Sequence, residues 1–221
     1  MPKLLVDNKE IEAKEGTTLL KACLDNGIYI PNLCYLEGME LPPASCRMCF
    51  VEIEGEKKPI TSCTVKVKDD MVVKTDTLSV RRLQKSALRL LLSVHHVDCK
   101  NCQANKKCEL QNLAKFLKVG LKPKHLEIQL KDQEINQDHP CLDYYPNRCI
   151  LCGKCIHVCR EKHDQSDLTF AKRGFDTVIS SYRKNDASTL PCKECVLCVD
   201  ICPVGALILR ENQEDSVLGK I

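Results

Sequence analysis

Seventeen cysteines in 221 residues constrain this chain more than any other feature. Cys149, Cys152, Cys155 and Cys159 read C-x2-C-x2-C-x3-C. Cys192, Cys195, Cys198 and Cys202 repeat that spacing, and the second run ends in Cys202-Pro203. Thiolates at such close intervals grip the irons of one cubane [4Fe–4S] cluster, and where two such runs share a fold the last thiolate of each ligates the other cluster. One cluster is therefore expected on Cys149, Cys152, Cys155 and Cys202. The other is expected on Cys192, Cys195, Cys198 and Cys159. Zinc sites join two C-x2-C pairs across a longer spacer, which neither run does.

Disulfides are the rival use of so much cysteine. The N-terminal stretch carries no apolar signal region, and C-x2-C spacing without an export signal favours metal over disulfide. No apolar run approaches membrane-spanning length, so a cytoplasmic chain without a membrane span is expected. Aromatic residues make up 4% of the sequence and Trp is absent, so cores should be small and dependent on metal. The formal charge of +3 falls to about −4 once four thiolate-held clusters are counted. Lys and Arg are dispersed among Asp and Glu, without the clustered basic face that nucleic acid requires.

In chain order, Lys3 to Ala13 predicts a hairpin turning at Asp7-Asn8. Thr17 is the expected N-cap of a helix whose apolar stripe is Leu19, Leu20, Cys23 and Leu24, closed by Gly27. Cys34, Cys46, Cys49 and Cys63 then follow as C-x11-C-x2-C-x13-C. This keeps the C-x2-C pair of a plant-type [2Fe–2S] site with a longer loop before it; the alternative is a four-thiolate zinc site. Strands are expected at residues 50–53, 59–67 and 71–75. A helix is expected from Val80 to Val94, with Val80, Leu83, Ala87, Leu90, Leu91 and Val94 inward and Arg81, Arg82, Lys85 and Arg89 on a solvated face.

Cys99, Cys102 and Cys108 offer three more thiolates, and the residues alone leave His95 and His96 both open as a fourth ligand. Residues 126–130 read as a short strand, and residues 168–181 as a strand pair. Ile150, Ile156, Val158, Val196, Val199 and Ile201 should wrap the last two clusters. Cys23 and Cys141 remain as buried or incidental thiols.

The pattern H-x3-C-x2-C-x5-C, with Asp98 before the first Cys and Glu109-Leu110-Gln111 after the last, resembles the Cys3His [4Fe–4S] module of the complex I large iron–sulfur subunit. That resemblance implies His95 as the ligand. The order of modules is also similar to the N-terminal region of iron-only hydrogenases and some NAD-linked formate dehydrogenases. It looks most like the iron–sulfur diaphorase subunit of NAD-linked bidirectional or electron-bifurcating hydrogenases. The resemblance implies an α+β fold: a β-grasp [2Fe–2S] ferredoxin over residues 1–78, a small helical Cys3His module over 79–118 and a two-[4Fe–4S] ferredoxin-like domain over 139–210. It implies one [2Fe–2S] and three [4Fe–4S] clusters. Its implied partners are a flavin-bearing NAD(P)H-oxidising subunit and a further redox catalytic subunit.

The sequence has no G-x-G-x-x-G loop and no P-loop, so no catalytic residue is assigned and the expected role is electron transfer. The alternative is a freestanding multi-cluster carrier. Two departures from the resembled pattern stand out. Ala44-Ser45 precedes Cys46 where Gly is common, and Arg160 follows Cys159 where a ferredoxin has Pro.

Overall fold

The computed structural model describes residues 1–163, 167–181 and 195–210. Strands β1 (Lys3–Val6) and β2 (Lys9–Glu12) form the expected antiparallel hairpin. Its turn residues, Asp7 and Asn8, both adopt left-handed backbone, with φ of 50° and 68°, the geometry that matches the twist of paired strands. The turn is tied down by Asp7, whose Oδ1 accepts from the Thr75 amide at 2.8 Å.

Helix α1 (Leu19–Asp25) buries Leu19, Leu20, Ala22 and Cys23. Its N-cap is Thr18, one residue later than expected: the Thr18 hydroxyl accepts from Lys21 N–H. The Thr17 carbonyl instead accepts from the Val67 amide, so Thr17 belongs to the flanking chain. Gly27, with φ of +73°, closes the helix. Its N–H donates to Leu24 C=O and that of Ile28 to Cys23 C=O, a Schellman ending that needs a left-handed residue.

Strands β3 (Phe50–Ile53), β4 (Ile60–Thr61) and β5 (Met71–Lys74) complete a five-stranded sheet in the order β2-β1-β5-β3-β4. The β1–β5 pair is parallel, which sends the intervening chain across the sheet as α1 and the long cysteine loop. The expected strand at 59–67 is cut to two residues, because Ser62–Thr64 turn into a 3-10 helix. That turn carries Cys63 out of the ladder.

Helix α2 (Leu78–Ser93) is capped by the Thr77 hydroxyl. It buries Val80, Gln84, Ala87, Leu88, Leu92 and Ser93, whereas the expected inward residue Leu90 is 61% exposed. The stripe is rotated because α2 packs on β3 and also adjoins the cluster-bearing loops. Arg81 leaves the expected solvated face: its guanidinium lies 4.5 Å from the centre of the Phe116 ring and its Nε donates to Asp76 at 2.5 Å. Helix α3 (Glu109–Phe116) begins directly after Cys108 and buries Leu110, Leu113 and Ala114.

The expected strand at 126–130 does not form. That segment crosses the surface without regular secondary structure, with the Gln129 amide donating to Ser93 C=O and the Lys131 amide to Asn147 Oδ1. In the C-terminal part, β6 (Leu142–Tyr144) pairs antiparallel with β9 (Leu207–Leu209), and β7 (Leu168–Ala171) with β8 (Val178–Ser181), the latter as expected. Helix α4 (Lys154–Lys162) packs on α5 (Leu197–Asp200). Arg160 is an interior residue of α4; Pro there would break the helix, so its replacement lets α4 run three residues past Cys159.

Two apolar cores result. One fills the space between the sheet and α1 around Leu4, Leu20 and Val51. The other is continuous from Leu33 and Met48 through Leu88 and Leu92 to Leu110, Leu113, Ile150, Val204 and Leu207. Each fully buried Leu in it is worth about 1.5–3 kcal/mol. Apolar packing therefore crosses all three cysteine-bearing parts of the chain.

Candidate metal centres

The first centre gathers Cys34, Cys46, Cys49 and Cys63, each no more than 3% exposed. The loop carrying Cys46 and Cys49 turns tightly, with Ala44 at φ of 50° and Arg47 at 53°. These are left-handed conformations that strain a side chain, and Ala44 is where the resembled pattern favours Gly. Cys49 C=O accepts both the Ser62 amide and the Ser62 hydroxyl at 2.9 Å, which fixes the turn bearing Cys63. The sulfurs of Cys34 and Cys46 lie 3.3 Å apart. The hydrogen bond between them draws the Cys34 thiol down and pushes Cys46 up; Cys49 and Cys63 behave alike as a second pair. Four buried thiolates this close repel one another unless a cation neutralises them, so the donor set fits a thiolate-bound metal group.

The second centre is a small cavity of about 20 Å³ lined by His95, Cys99, Cys102 and Cys108 together with His96 and Val204. Gln111 holds the loop between Cys102 and Cys108: its Oε1 accepts from the Lys106 amide at 3.0 Å and its Nε2 donates to Asn105 Oδ1 at 3.2 Å. Cys108 is the N-cap residue of α3, at the helix end that favours a thiolate. The two histidines differ. His96 is exposed, and its amide donates to Asn147 C=O at 2.6 Å. His95 is largely enclosed, and its Nδ1 is buried without a hydrogen-bond partner. Burial holds its imidazole down at about 4, the neutral form that metal ligation requires. An orphaned, buried and neutral imidazole nitrogen beside three thiols fits a metal ligand.

The third centre joins the two runs. Cys149, Cys152, Cys155 and Cys202 line one small cavity of about 20 Å³, closed by Ile150, Ile179, Val204, Ala206 and Leu207. Backbone donors point at the sulfurs: Leu151 N–H to Cys149 Sγ at 3.4 Å, and Ala206 N–H to Cys202 Sγ at 3.2 Å. Leu151 and Gly153 take left-handed backbone, φ of 53° and 75°, which bends the run around the cavity. Burial pushes the thiol of Cys152 up to about 12 and that of Cys155 higher still. Of the expected apolar wrapping, Ile150 lines this cavity, Ile156 is buried in the same core and Val199 packs against it. Ile179 and the segment from Val204 to Leu207 add to it.

Of the fourth set, Cys159 lies on α4 and Cys198 on α5, which pack together; Cys195 stands just before α5, and all three are half-buried. Cys192 lies outside the described residues. Cys23 is fully enclosed in the sheet-and-helix core. Cys141 is buried, with its amide donating to His139 Nδ1 at 3.0 Å. Among the described residues, no group of three or more His, Cys, Asp or Glu converges as a single metal ion needs; the thiols ring cavities. No helix among the described residues is long and apolar enough to cross a membrane.

The geometry agrees with comparison to known proteins. Residues 3–78 match the 2Fe-2S iron–sulfur cluster binding domain, residues 84–121 the NADH-ubiquinone oxidoreductase-G iron–sulfur binding region, and residues 139–208 the ferredoxin-like domain of NADH-quinone oxidoreductase subunit 3. The chain therefore carries, in order, a 2Fe-2S ferredoxin domain, a 4Fe-4S binding region and a ferredoxin-like domain. More particularly, the chain resembles the iron–sulfur subunit of NAD-linked hydrogenases and the N-terminal iron–sulfur part of the complex I large subunit.

It is 37% identical over 210 residues to the NADPH-Fe(3+) oxidoreductase subunit alpha of Geobacter sulfurreducens, covering 95% of this chain and 24% of that protein. It is 35% identical over 222 residues to the NADP-reducing hydrogenase subunit HndD of Solidesulfovibrio fructosivorans, covering 96% and 36%. Thus it spans about a quarter to a third of these relatives. A chain in the crystal structure of an NAD+-reducing [NiFe]-hydrogenase in the H2-reduced state matches with a TM-score of 0.81 and 28% identity, over 95% of this chain and 87% of that one.

Proposed function

We propose that this chain is the electron-transfer subunit of a multi-subunit NAD(P)-linked oxidoreductase of the cytoplasm. It would stand between a flavin-bearing NAD(P)H-oxidising subunit and a partner redox site such as a hydrogenase or formate dehydrogenase. Cys34, Cys46, Cys49 and Cys63 hold a [2Fe–2S] cluster. His95, Cys99, Cys102 and Cys108 hold one [4Fe–4S] cluster, Cys149, Cys152, Cys155 and Cys202 a second, and Cys192, Cys195, Cys198 and Cys159 a third. The clusters supply reversible one-electron transfer; the protein's part is to hold them, exclude water and keep them close.

The observation that carries the reading is Val204. It lines both the cavity of His95, Cys99, Cys102 and Cys108 and the cavity of Cys149, Cys152, Cys155 and Cys202. The Val204 side chain is common to the walls of both cavities and belongs to the apolar core that runs past them. Two centres packed this closely suit passage of electrons better than two independent structural staples.

Purification of the chain from its native host tests the proposal. The expected result is a stable complex containing a flavin subunit that oxidises NADH or NADPH, four clusters on this chain, and no NAD(P)H:dye activity from the chain alone. A chain that carries its clusters but purifies as a monomer, with no flavoprotein bound, would make it a freestanding carrier instead.

A further inference from the structure

A trough of about 670 Å³ lies between the C-terminal half of α2 and the chain that follows α3. No cysteine lines it. Arg89, Lys118, Lys122, Lys124 and His125 do, without a single Asp or Glu. All five are exposed, and none has an ion-pair partner among the described residues. Arg81, on the same helix, is by contrast held by Asp76. Cations gathered in one concavity create a positive field that draws in an anionic ligand. Lys118 and His125 also sit in left-handed backbone, with φ of 53° and 66°, which a side chain disfavours. At Lys118 that geometry closes α3, where the Val119 amide donates to Ala114 C=O.

The trough runs on into an apolar ledge. Leu90, Val119, Pro123 and Leu126 share its lining with the cations. Beyond Leu126, Ile128 is 50% and Leu130 43% exposed. Their alternation with Glu127 and Gln129 is the pattern of a half-buried strand. No strand among the described residues pairs with this segment, and Gln129 alone in it is tied by its amide, to Ser93 C=O at the end of α2. Exposed apolar side chains that adjoin one another mark a surface that another molecule covers.

We propose that trough and ledge form a docking surface for an extended acidic segment of a partner protein. Its carboxylates would face Arg89, Lys118, Lys122 and Lys124, and its apolar side chains would lie on Leu126, Ile128 and Leu130. Charge complementarity selects the occupant. Sites for single-stranded nucleic acid add aromatic side chains on which bases stack, and no Phe, Tyr or Trp lines this trough. Sites for small ligands place a few polar groups inside an enclosing pocket, whereas these cations are all exposed. The surface shares no residue with the proposed cluster ligands, so it stands apart from their assignment.

The test is binding of a labelled peptide of alternating Glu and Leu to the holo-chain, read by fluorescence anisotropy under anaerobic conditions. Expected is an affinity that falls steeply with added salt and drops about tenfold in the double variant Lys122→Glu, Lys124→Glu. Ile128→Ser should cost about fivefold. Lys57→Glu with Lys58→Glu makes the same change in net charge on exposed residues between β3 and β4, and should bind as the wild type does. Equal affinity in all variants, or tighter binding of a single-stranded oligonucleotide or of phosphatidylserine vesicles than of the peptide, overturns the proposal.

In the complex of the proposed function, carbodiimide coupling of amines to touching carboxylates should link Lys118, Lys122 or Lys124 to an Asp or Glu of another subunit. Links from these lysines only within the chain would overturn the docking role and leave the electron-transfer reading standing. For a chain that purifies alone, the peptide result decides.

Discussion

Glu109 N–H donates to the Pro203 carbonyl at 2.9 Å. The first residue of α3, adjacent to Cys108, is thereby joined to the residue that follows Cys202. Two cysteines almost a hundred positions apart are held by a single backbone contact between their neighbours, and Val204 continues from it as the shared wall of two cavities.

The same junction is tight at Gly205, where φ is +63° and an added Cβ would lie 2.7 Å from Ala104 Cβ. Gly205→Ala should therefore cost about 1–3 kcal/mol from overpacking, with the left-handed backbone adding strain. It should lower the thermal midpoint of the holo-protein and loosen the centres on both sides of Val204. Calorimetry with iron analysis under anaerobic conditions reads both; a variant of unchanged midpoint and iron content would show that the junction yields freely.

At the second centre, His95→Ala should lose or convert its cluster. His95→Cys should keep a [4Fe–4S] cluster at a lower potential, because a thiolate adds negative charge and disfavours the reduced state. His96→Ala should leave the spectrum unchanged, since that side chain is exposed. Paramagnetic resonance on the three variants decides between the histidines, and a cluster lost only in His96→Ala would reverse the assignment.

Cys152→Ala should remove a cluster and open the C-terminal part to protease, because the buried thiols of Cys152 and Cys155 line a cavity closed by apolar side chains, whose packing would depend on the bound group. Cys141→Ala and Cys23→Ala should retain full iron. Cys23→Ala also leaves a small void in a core where the thiol is 0% exposed, with a modest loss of stability. Iron loss on changing Cys141 would revise the ligand sets.

His139 joins the start of the C-terminal part to its β7–β8 hairpin. Its Nε2 lies 3.3 Å from Asp167 Oδ2, and Ser181 Oγ donates to the same oxygen at 2.5 Å. Burial lowers the His139 pKa below its ordinary value; Asp167 opposes this and Arg210 adds to it. The unfolded chain therefore takes up this proton at a higher pH than the folded one. The resulting stability is present above about pH 6.5 and is lost as pH falls through the lower folded value. Thermal midpoints measured from neutral to mildly acid pH should fall more steeply in the wild type than in His139→Gln; parallel curves would remove His139 as the cause.

Much of the architecture was legible in local patterns. Asp7-Asn8 announced its hairpin, Gly27 its helix end, and the doubled cysteine spacing brought Cys202 to the cavity of Cys149, Cys152 and Cys155. These features are set by short-range sterics and by the reach of thiolates around one metal group, which a few neighbouring residues suffice to specify. The start of α3 could also have been found: Leu110, Leu113, Ala114 and Leu117 fall at helical intervals.

What the tertiary structure decided involves surfaces that meet from distant parts of the chain. The buried side of α2 includes Gln84 and Leu88 in place of Leu90, because the helix answers to β3 and to a second core at once, and periodicity reports only a single face. Cys63 leaves its strand because Ser62 bonds to the Cys49 carbonyl through both its amide and its hydroxyl, a contact between distant parts of the chain. Val204 as a common wall exists only once α3 and the segment after Cys202 have packed together. Spacing along the chain suggests ligand sets; which cavities share a wall is a property of the assembled core.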